Sequence, residues 1–289
     1  MATVIEPVAP RPAGRRKSVW RIDTTTGLSV FWLVVVVVAA LLGERLTRYG
    51  ATTALPDARL LPPSPEHLMG TDNFFRDVLD RLIVGARSSM VIALAVALAS
   101  SLLGGALGIA VVVWRRLDNP IMRVLDGLIA FPGIILAIML VAAFGGGQWQ
   151  VVLALTVAFF PRIARVVRAV TLSVVASPYV EAAGVIGGGR IWAAWHHVLP
   201  NVLGPLGVQA TYVMSRAIVI DAALSFLGLG VPPPLPTWGN MLGDARTFIG
   251  QAWWMVFAPG LCIVFTALAV NFAGDWLRDV TDNATEASR

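Results

Sequence analysis

Residues 28 to 42 contain no charged side chain, and eleven of them are Leu, Val or Phe. Such a segment gains about 3 to 7 kcal/mol on entering hydrocarbon. Once there, every backbone N–H and C=O must bond within the protein, which leaves helices or closed barrels. Five further apolar stretches follow at 88–114, 121–145, 149–167, 202–227 and 253–274. Each lies near or above the roughly 17 to 25 residues that cross a bilayer as helix. The expected fold class is therefore an all-α membrane protein with six transmembrane helices. The fourth stretch reaches the necessary length only by including Pro161 and Arg162, which places its inner end at or beyond the headgroups. Composition agrees, since 13% of the chain is charged and 57% hydrophobic, whereas soluble domains carry about 25% charge and disordered chains lack the apolar content.

The net charge of +5 does not describe a nucleic-acid surface. The 22 basic residues are Arg apart from Lys17, and they collect between the apolar runs, as topology signals do. With six spans both termini share a side, and that side carries 14 basic residues against 7 on the other. The bias puts both termini in the cytoplasm. The basic segment before the first span (Arg11, Arg15, Arg16, Lys17, Arg21) has no clear Ala-x-Ala site after that span, so the first helix is expected to be a retained anchor. The single cysteine, Cys262, rules out an intramolecular disulfide framework and a multi-cysteine zinc site; inside an apolar run, it reads as packing.

Several segments predict local structure. Between 74 and 86, Phe74, Val78, Leu82 and Ala86 recur on one face while Arg76, Asp77, Asp80 and Arg81 take the other, which predicts an amphipathic interfacial helix started by Thr71 or Asp72. Residues 228 to 239 are rich in Gly and Pro and make a stiff outer loop that either meets a soluble partner or simply turns the chain. Pro132, Pro205 and Pro259 fall inside spans and tend to kink them. Gly104 and Gly108 allow close helix approach, expected within the same subunit.

Catalytic chemistry is missing. Lys17 follows Arg15 and Arg16 rather than a glycine turn, so the chain cannot supply a nucleotide-hydrolysing P-loop. There is no H-E-x-x-H site and no G-x-S-x-G elbow. Asp126 and Asp275, the one apparent aspartate pair, do not share a depth in the predicted spans. No metal site and no enzymatic activity are expected.

The cytoplasmic segment between the fourth and fifth spans is the most informative. Arg162, Arg165 and Arg168 open it at helical spacing, then comes Tyr179-Val180-Glu181-Ala182-Ala183-Gly184-Val185-Ile186-Gly187, and later His197-Val198-Leu199-Pro200-Asn201. A short helix, a glycine turn, a second helix and a proline make a compact knob with one exposed carboxylate, suited to a groove in another protein.

This segment resembles the EAA loop of binding-protein-dependent ABC importer permeases. Glu181, Ala182, Ala183, Gly187, Leu199 and Pro200 match the pattern with its spacing intact, and His197 takes a usually apolar position that often holds His in peptide-transporting members. The likeness extends through Gly70-Thr71-Asp72 with Arg76-Asp77, Asp126 with Phe131-Pro132, Ala164 to Ala169, Leu224 to Gly230, and Asn271 to Asp279, and it narrows to the C-type permease of dipeptide and oligopeptide importers. Phe75 replaces a glycine of that outer signature, which predicts that a helix start replaces any tight turn there. Asp221 stands where the family more often has Glu, and Asp282-Asn283 replaces a terminal Asp-Pro. Gly184, Gly188 and Gly189 make the loop unusually glycine-rich, at up to about 1 kcal/mol of helix stability each.

The resemblance implies a type I ABC importer permease fold. It divides the chain into a cytoplasmic tail at 1–27, a first helix with outer loop and interfacial helix at 28–87, a permease core at 88–279 with the coupling loop at about 179–201, and a cytoplasmic tail at 280–289. It implies a prokaryotic plasma-membrane protein forming half of a pathway for dipeptides or oligopeptides. Its partners would be a homologous second permease, two ABC ATPases and an extracytoplasmic binding protein, with membrane lipid around it. It needs no cofactor of its own, ATP and Mg belonging to the ATPases. A charge inside a span suggests function by default. Asp126, Arg216 and Asp221 are therefore candidates for the pathway or subunit interface, Arg216 facing either the aqueous pathway or a carboxylate of the other permease. Glu181 either contacts the ATPase or braces the loop through a nearby Arg. The competing class is a stand-alone secondary transporter or channel, which would be expected to carry inverted repeats; no convincing repeat is present.

Overall fold

The computed structural model describes residues 24–185 and 187–287, with side-chain surroundings through Val280. The basic residues from Arg11 to Arg21 and the Asp282-Asn283 side chains lie outside the described residues. Ten helices follow in order: α1 (Thr24–Leu46), α2 (Val78–Val113), α3 (Arg115–Ala130), α4 (Gly133–Phe144), α5 (Gln148–Val175), α6 (Pro178–Val185), α7 (Arg190–Ala193), α8 (Leu199–Phe226), α9 (Trp238–Ala245) and α10 (Trp254–Ala287). Among the described residues β-pairing is limited to one isolated bridge, Thr71 with Asp77.

Four helices, α1, α2, α5 and α10, are long and apolar enough to cross a membrane, and α3 with α4 makes a fifth if counted as one broken span. The break is a 93° bend at Phe131-Pro132. Proline forces its predecessor out of helical conformation, and Phe131 is extended at φ −80°, ψ 135°. The stretch expected as one span at 121–145 is thus an amphipathic helix followed by a twelve-residue apolar one. Helix α8 has 28 residues, about 42 Å at 1.5 Å per residue. It is long enough to cross, though it carries Gln209, Arg216 and Asp221 along its length.

Helix α2 is the centre of the bundle, packed along α5, α8 and α1, with Ile92, Val96, Leu155, Ile163 and Val167 fully buried between them. The expected glycine contact is intramolecular. A Cβ on Gly104 would sit 2.7 Å from Ile163 Cβ and 2.8 Å from the Phe160 carbonyl, and one on Gly108 would sit 2.7 Å from the Ala164 carbonyl. Pro161, Pro205 and Pro259 lie inside unbroken helices. Helix α5 therefore continues well past Arg162, and the arginine stripe belongs to it rather than to a loop. Helices α8 and α10 cross closely where Gly274 meets Thr211; Asn271 Nδ2 donates to Ser215 Oγ at 2.8 Å, and Ser215 Oγ donates to the Ala267 carbonyl at 2.9 Å.

The interfacial helix expected at 74–86 is not a separate element. Its second half is the start of α2, and Asp77 rather than Thr71 or Asp72 is the N-cap, its side chain accepting from Asp80 N at 3.1 Å. The charged face does not look into water, because Asp80 and Arg81 are each 3% exposed. Asp80 accepts from the backbone amides of Arg48, Tyr49 and Gly50 at 3.1, 2.7 and 2.9 Å. Arg81 and Arg76 meet Asp72 at 2.5 and 2.8 Å, and both reach Asp244 of α9. Burial and the adjacent Arg81 pull the Arg76 guanidinium below its ordinary value. The tight turn also survives: Phe75 sits at φ +64°, a left-handed conformation that costs a non-glycine residue about 1 to 2 kcal/mol, while its carbonyl accepts from Leu55 N at 2.7 Å.

Candidate functional site

The knob is built from the end of α5 onward. Ala176 closes that helix, its N–H bonding to Leu172, and the Ser177 carbonyl accepts from Val180 N and Glu181 N at 3.1 and 3.2 Å. Pro178 opens α6, a position where its missing N–H has no helical acceptor to lose. Helix α6 turns Val180 and Ala183 inward and leaves Glu181, Ala182 and Val185 exposed. It ends in a left-handed glycine cap: Gly187 has φ +101°, and Gly188 N reaches back to the Ala183 carbonyl at 3.0 Å, the 6→1 bond that such caps use. Gly187 is thus required by backbone geometry. Helix α7 and a π-helical turn, Ala194–Val198, lead without a break into α8, where Leu199 and Pro200 stand in the first turn.

Of the six residues singled out in this loop, Glu181, Ala182, Ala183 and Gly187 gather on α6 and its cap, and Leu199 and Pro200 lie across the π turn. The Glu181 carboxylate makes no hydrogen bond or ion pair with any described residue. No described arginine braces it. Tyr179, Trp192 and Asn201 were not singled out as functional, yet they pack the loop together around His197; no local periodicity links positions 179, 192, 197 and 201.

The three charges expected inside spans separate. Asp126 is paired with Arg165 of α5, and less than one turn further along α5 Arg168 holds Asp118 through two hydrogen bonds of 2.6 Å. That hydrogen bond keeps the Asp118 carboxyl, on the polar flank of α3, below the usual carboxylate range. Asp221 is turned into the protein, 2% exposed, with Oδ1 unpartnered among the described residues. Arg216 is different. It stands on the exposed face of α8 with its guanidinium 4.7 Å from the Tyr212 ring centroid, and no described carboxylate lies within ion-pair distance. Ile218, Asp221 and Ser225 on the opposite face are buried.

Sequence reading noticed the outer Thr71-Asp72 and Arg76-Asp77 signature but not its partners. Asp244 lies some 170 residues downstream, and His67 Nδ1 is 2.9 Å from Asp77 Oδ2. Their burial is what makes the signature a structural clasp.

The family model described as binding-protein-dependent transport system inner membrane component matches residues 100–286. The chain is 45% identical over 250 residues to a putative peptide transport system permease protein of Brucella suis, covering 86% of this chain and 84% of that one. It is 41% identical over 262 residues to the dipeptide transport system permease protein of Escherichia coli K12, covering 88% and 87%. It is also 39% identical over 260 residues to the di/tripeptide transport system permease protein of Pseudomonas aeruginosa, covering 88% and 86%.

Proposed function

Because this chain belongs to the binding-protein-dependent transport system inner membrane component family, and so is a multi-pass permease subunit of an ABC importer, we propose that it carries dipeptides and oligopeptides. The substrate class rests on the relatives of 39 to 45% identity, whose names specify peptide, dipeptide or di/tripeptide transport. The chain supplies half of the pathway and a second, homologous permease the other half. Two separate ATPases bind below, and an extracytoplasmic binding protein delivers substrate above. Helix α8 acts as a further span beside the four long apolar helices and the bent α3–α4 pair, giving six, with both termini on the basic, cytoplasmic side.

Residues 179 to 190 dock in a groove of the ATPase. The observation that carries this is the free Glu181 carboxylate, presented beside exposed Ala182 and Val185 on a helix with a fixed glycine cap. ATP-driven closure of the ATPases moves this knob, and the π turn passes the movement to α8. Reconstituted complexes test the assignment. Gly187→Arg, which places a bulky side chain at φ +101°, should abolish substrate-stimulated ATP hydrolysis, and Glu181→Ala should weaken it. Full coupled hydrolysis in both variants would rule out docking through this loop.

Of the three charges expected inside spans, Asp126 and Arg216 are exposed, and Arg216 is the one without an ion-pair partner among the described residues. A cation at that depth costs about 2.5 to 3.5 kcal/mol unless paired or hydrated. Its counter-charge is a carboxylate of the second permease rather than of the peptide, because a fixed cation in the pathway would hold a peptide carboxylate and slow its release. Asp126 and Asp221 act within this chain, Asp126 by joining α3 to α5. Uptake by vesicles carrying Arg216→Ala should fall equally for neutral and anionic peptides; a loss confined to anionic peptides would assign Arg216 to the substrate instead.

A further inference from the structure

Four glycines between 184 and 189 would let α6 swivel on its own, and a swivelling knob transmits nothing. Only part of this glycine content is explained by the cap. Around Gly184 and Gly189 there is open space, so no neighbour holds those positions still. The restraint comes from rings. His197, in the π turn, is flanked by Tyr179 of α6, edge-on at 5.5 Å between centroids, and by Trp192 of α7, edge-on at 5.2 Å. Trp192 also stacks on His196 at 4.7 Å with the planes 21° apart. Asn201, in the first turn of α8, ties the group together: its Nδ2 donates to the His197 carbonyl at 2.7 Å and lies 3.4 Å from the Tyr179 hydroxyl.

Gly188 belongs to the same unit. A Cβ there would meet the Trp192 ring at 3.0 Å, so the absence of a side chain lets the indole lie against the turn that caps α6. The π turn is what brings this about. One extra residue in the turn shifts the register between α7 and α8, and His197 comes to lie between two rings contributed from either side of the glycine run.

We propose that Tyr179, Trp192 and His197 form an aromatic clamp that locks α6 to the foot of α8, making the docking knob and α8 one rigid lever. The clamp rests on the reading that this loop docks on the ATPase. It makes these three positioning residues, which act through α6 and need not touch the ATPase or the substrate. Offset and edge-to-face ring pairs are individually modest, but the Tyr179–His197 pair crosses the glycine-rich hinge and Trp192 backs the same histidine from the far side, so together they decide whether that hinge bends.

The test uses the full complex of both permeases, the ATPases and the binding protein in proteoliposomes. Transport and ATP hydrolysis are measured together, and ATPase co-purification is measured separately. His197→Ala and Trp192→Ala should retain the ATPases yet transport about tenfold less substrate per ATP, the size two ring contacts support. His197→Phe, which keeps the ring, should restore most of the ratio. An unchanged ratio in both alanine variants would overturn the clamp, as would loss of the ATPases from those variants, since that would put the rings in the docking surface itself. Gly187→Arg is scored in parallel. Intact ATPase binding and coupled hydrolysis in that variant would overturn the docking reading, a result distinct from either failure of the clamp.

Discussion

Removing Arg81 from the outer clasp should destabilise the protein more than removing any exposed arginine. Asp72 is 4% exposed at its side chain and accepts from Phe74 N and Arg76 N through Oδ1, at 2.8 and 2.9 Å, and from Arg76 Nε and Arg81 Nη1 through Oδ2. Arg81 is buried to the same degree and also meets Asp244 at 3.2 Å. Deleting one member of a buried pair costs about 3 to 5 kcal/mol, most of it the burden of the uncompensated charge left behind. Because Arg76 still neutralises Asp72, Arg81→Gln should fall at the low end, about 3 kcal/mol. Arg76→Gln removes the more accessible partner, 12% exposed, and should cost about 1.5 to 2 kcal/mol. The two charges touch, so Asp72→Asn and Arg81→Gln should be non-additive by about 2 kcal/mol in a double-mutant cycle. Unfolding of the detergent-solubilised protein by titrated SDS, followed by tryptophan fluorescence, suits the measurement. Trp254 donates to the Thr71 carbonyl at 3.2 Å and Trp238 to that of Leu82 at 3.0 Å, so both indoles report on this region. Arg246→Gln, at an exposed position, is the control and should change little. A cost below about 1 kcal/mol for Arg81→Gln, or a coupling indistinguishable from zero, would refute the view that burial gives this cluster its strength.

Three other perturbations follow from the same kind of accounting. Phe75→Gly should stabilise the protein by about 0.5 to 1 kcal/mol, the left-handed penalty of about 1 to 2 kcal/mol less the added entropy of a glycine, whereas Phe75→Val should destabilise it, both read in the same SDS titration. Gly104→Leu should cost about 3 kcal/mol or more by forcing α2 off α5, while Gly127→Ala in α3, with nothing within 4 Å of its Cβ site, should gain up to about 1 kcal/mol. The depressed Asp118 carboxyl contributes stability above its unfolded value of about 4 and loses that contribution as the pH falls through the lower folded value; Asp118→Asn should remove under about 1 kcal/mol of acid-labile stability, measured as a flatter stability profile below about pH 5.

What could be read directly from the chain was governed by contacts close in sequence or by composition. The apolar runs and the proline break act within their own segments, and a small-xxx-small pair announces a close approach whichever helix fills it, so Phe131-Pro132 and Gly104 with Gly108 were legible in the chain. The EAA spacing was legible for the same reason, since a short helix and its glycine cap are built within ten residues. The 74–86 segment misled because period alone gives two faces without saying what covers the polar one. An interfacial helix and a helix whose charges are buried against a preceding loop have the same pattern, and what separates them is Asp244, far downstream. Phe75 misled for a different reason: a turn held by surrounding hydrogen bonds can impose its backbone angles on a residue that disfavours them. The rings around His197 were invisible because the glycine run between them carries no signal of which residues will meet.

The length of α2 has a mechanical consequence. Thirty-six residues make a rod of about 54 Å, well beyond the roughly 30 Å of hydrocarbon, with its top riveted into the Asp77 and Asp80 hydrogen bonds and its flank keyed to α5 through two glycines. Such a rod has no joint. It stands as a mast, and under the proposed function the parts rigged around it, the elbow at Phe131-Pro132 and α8, are the ones left to move.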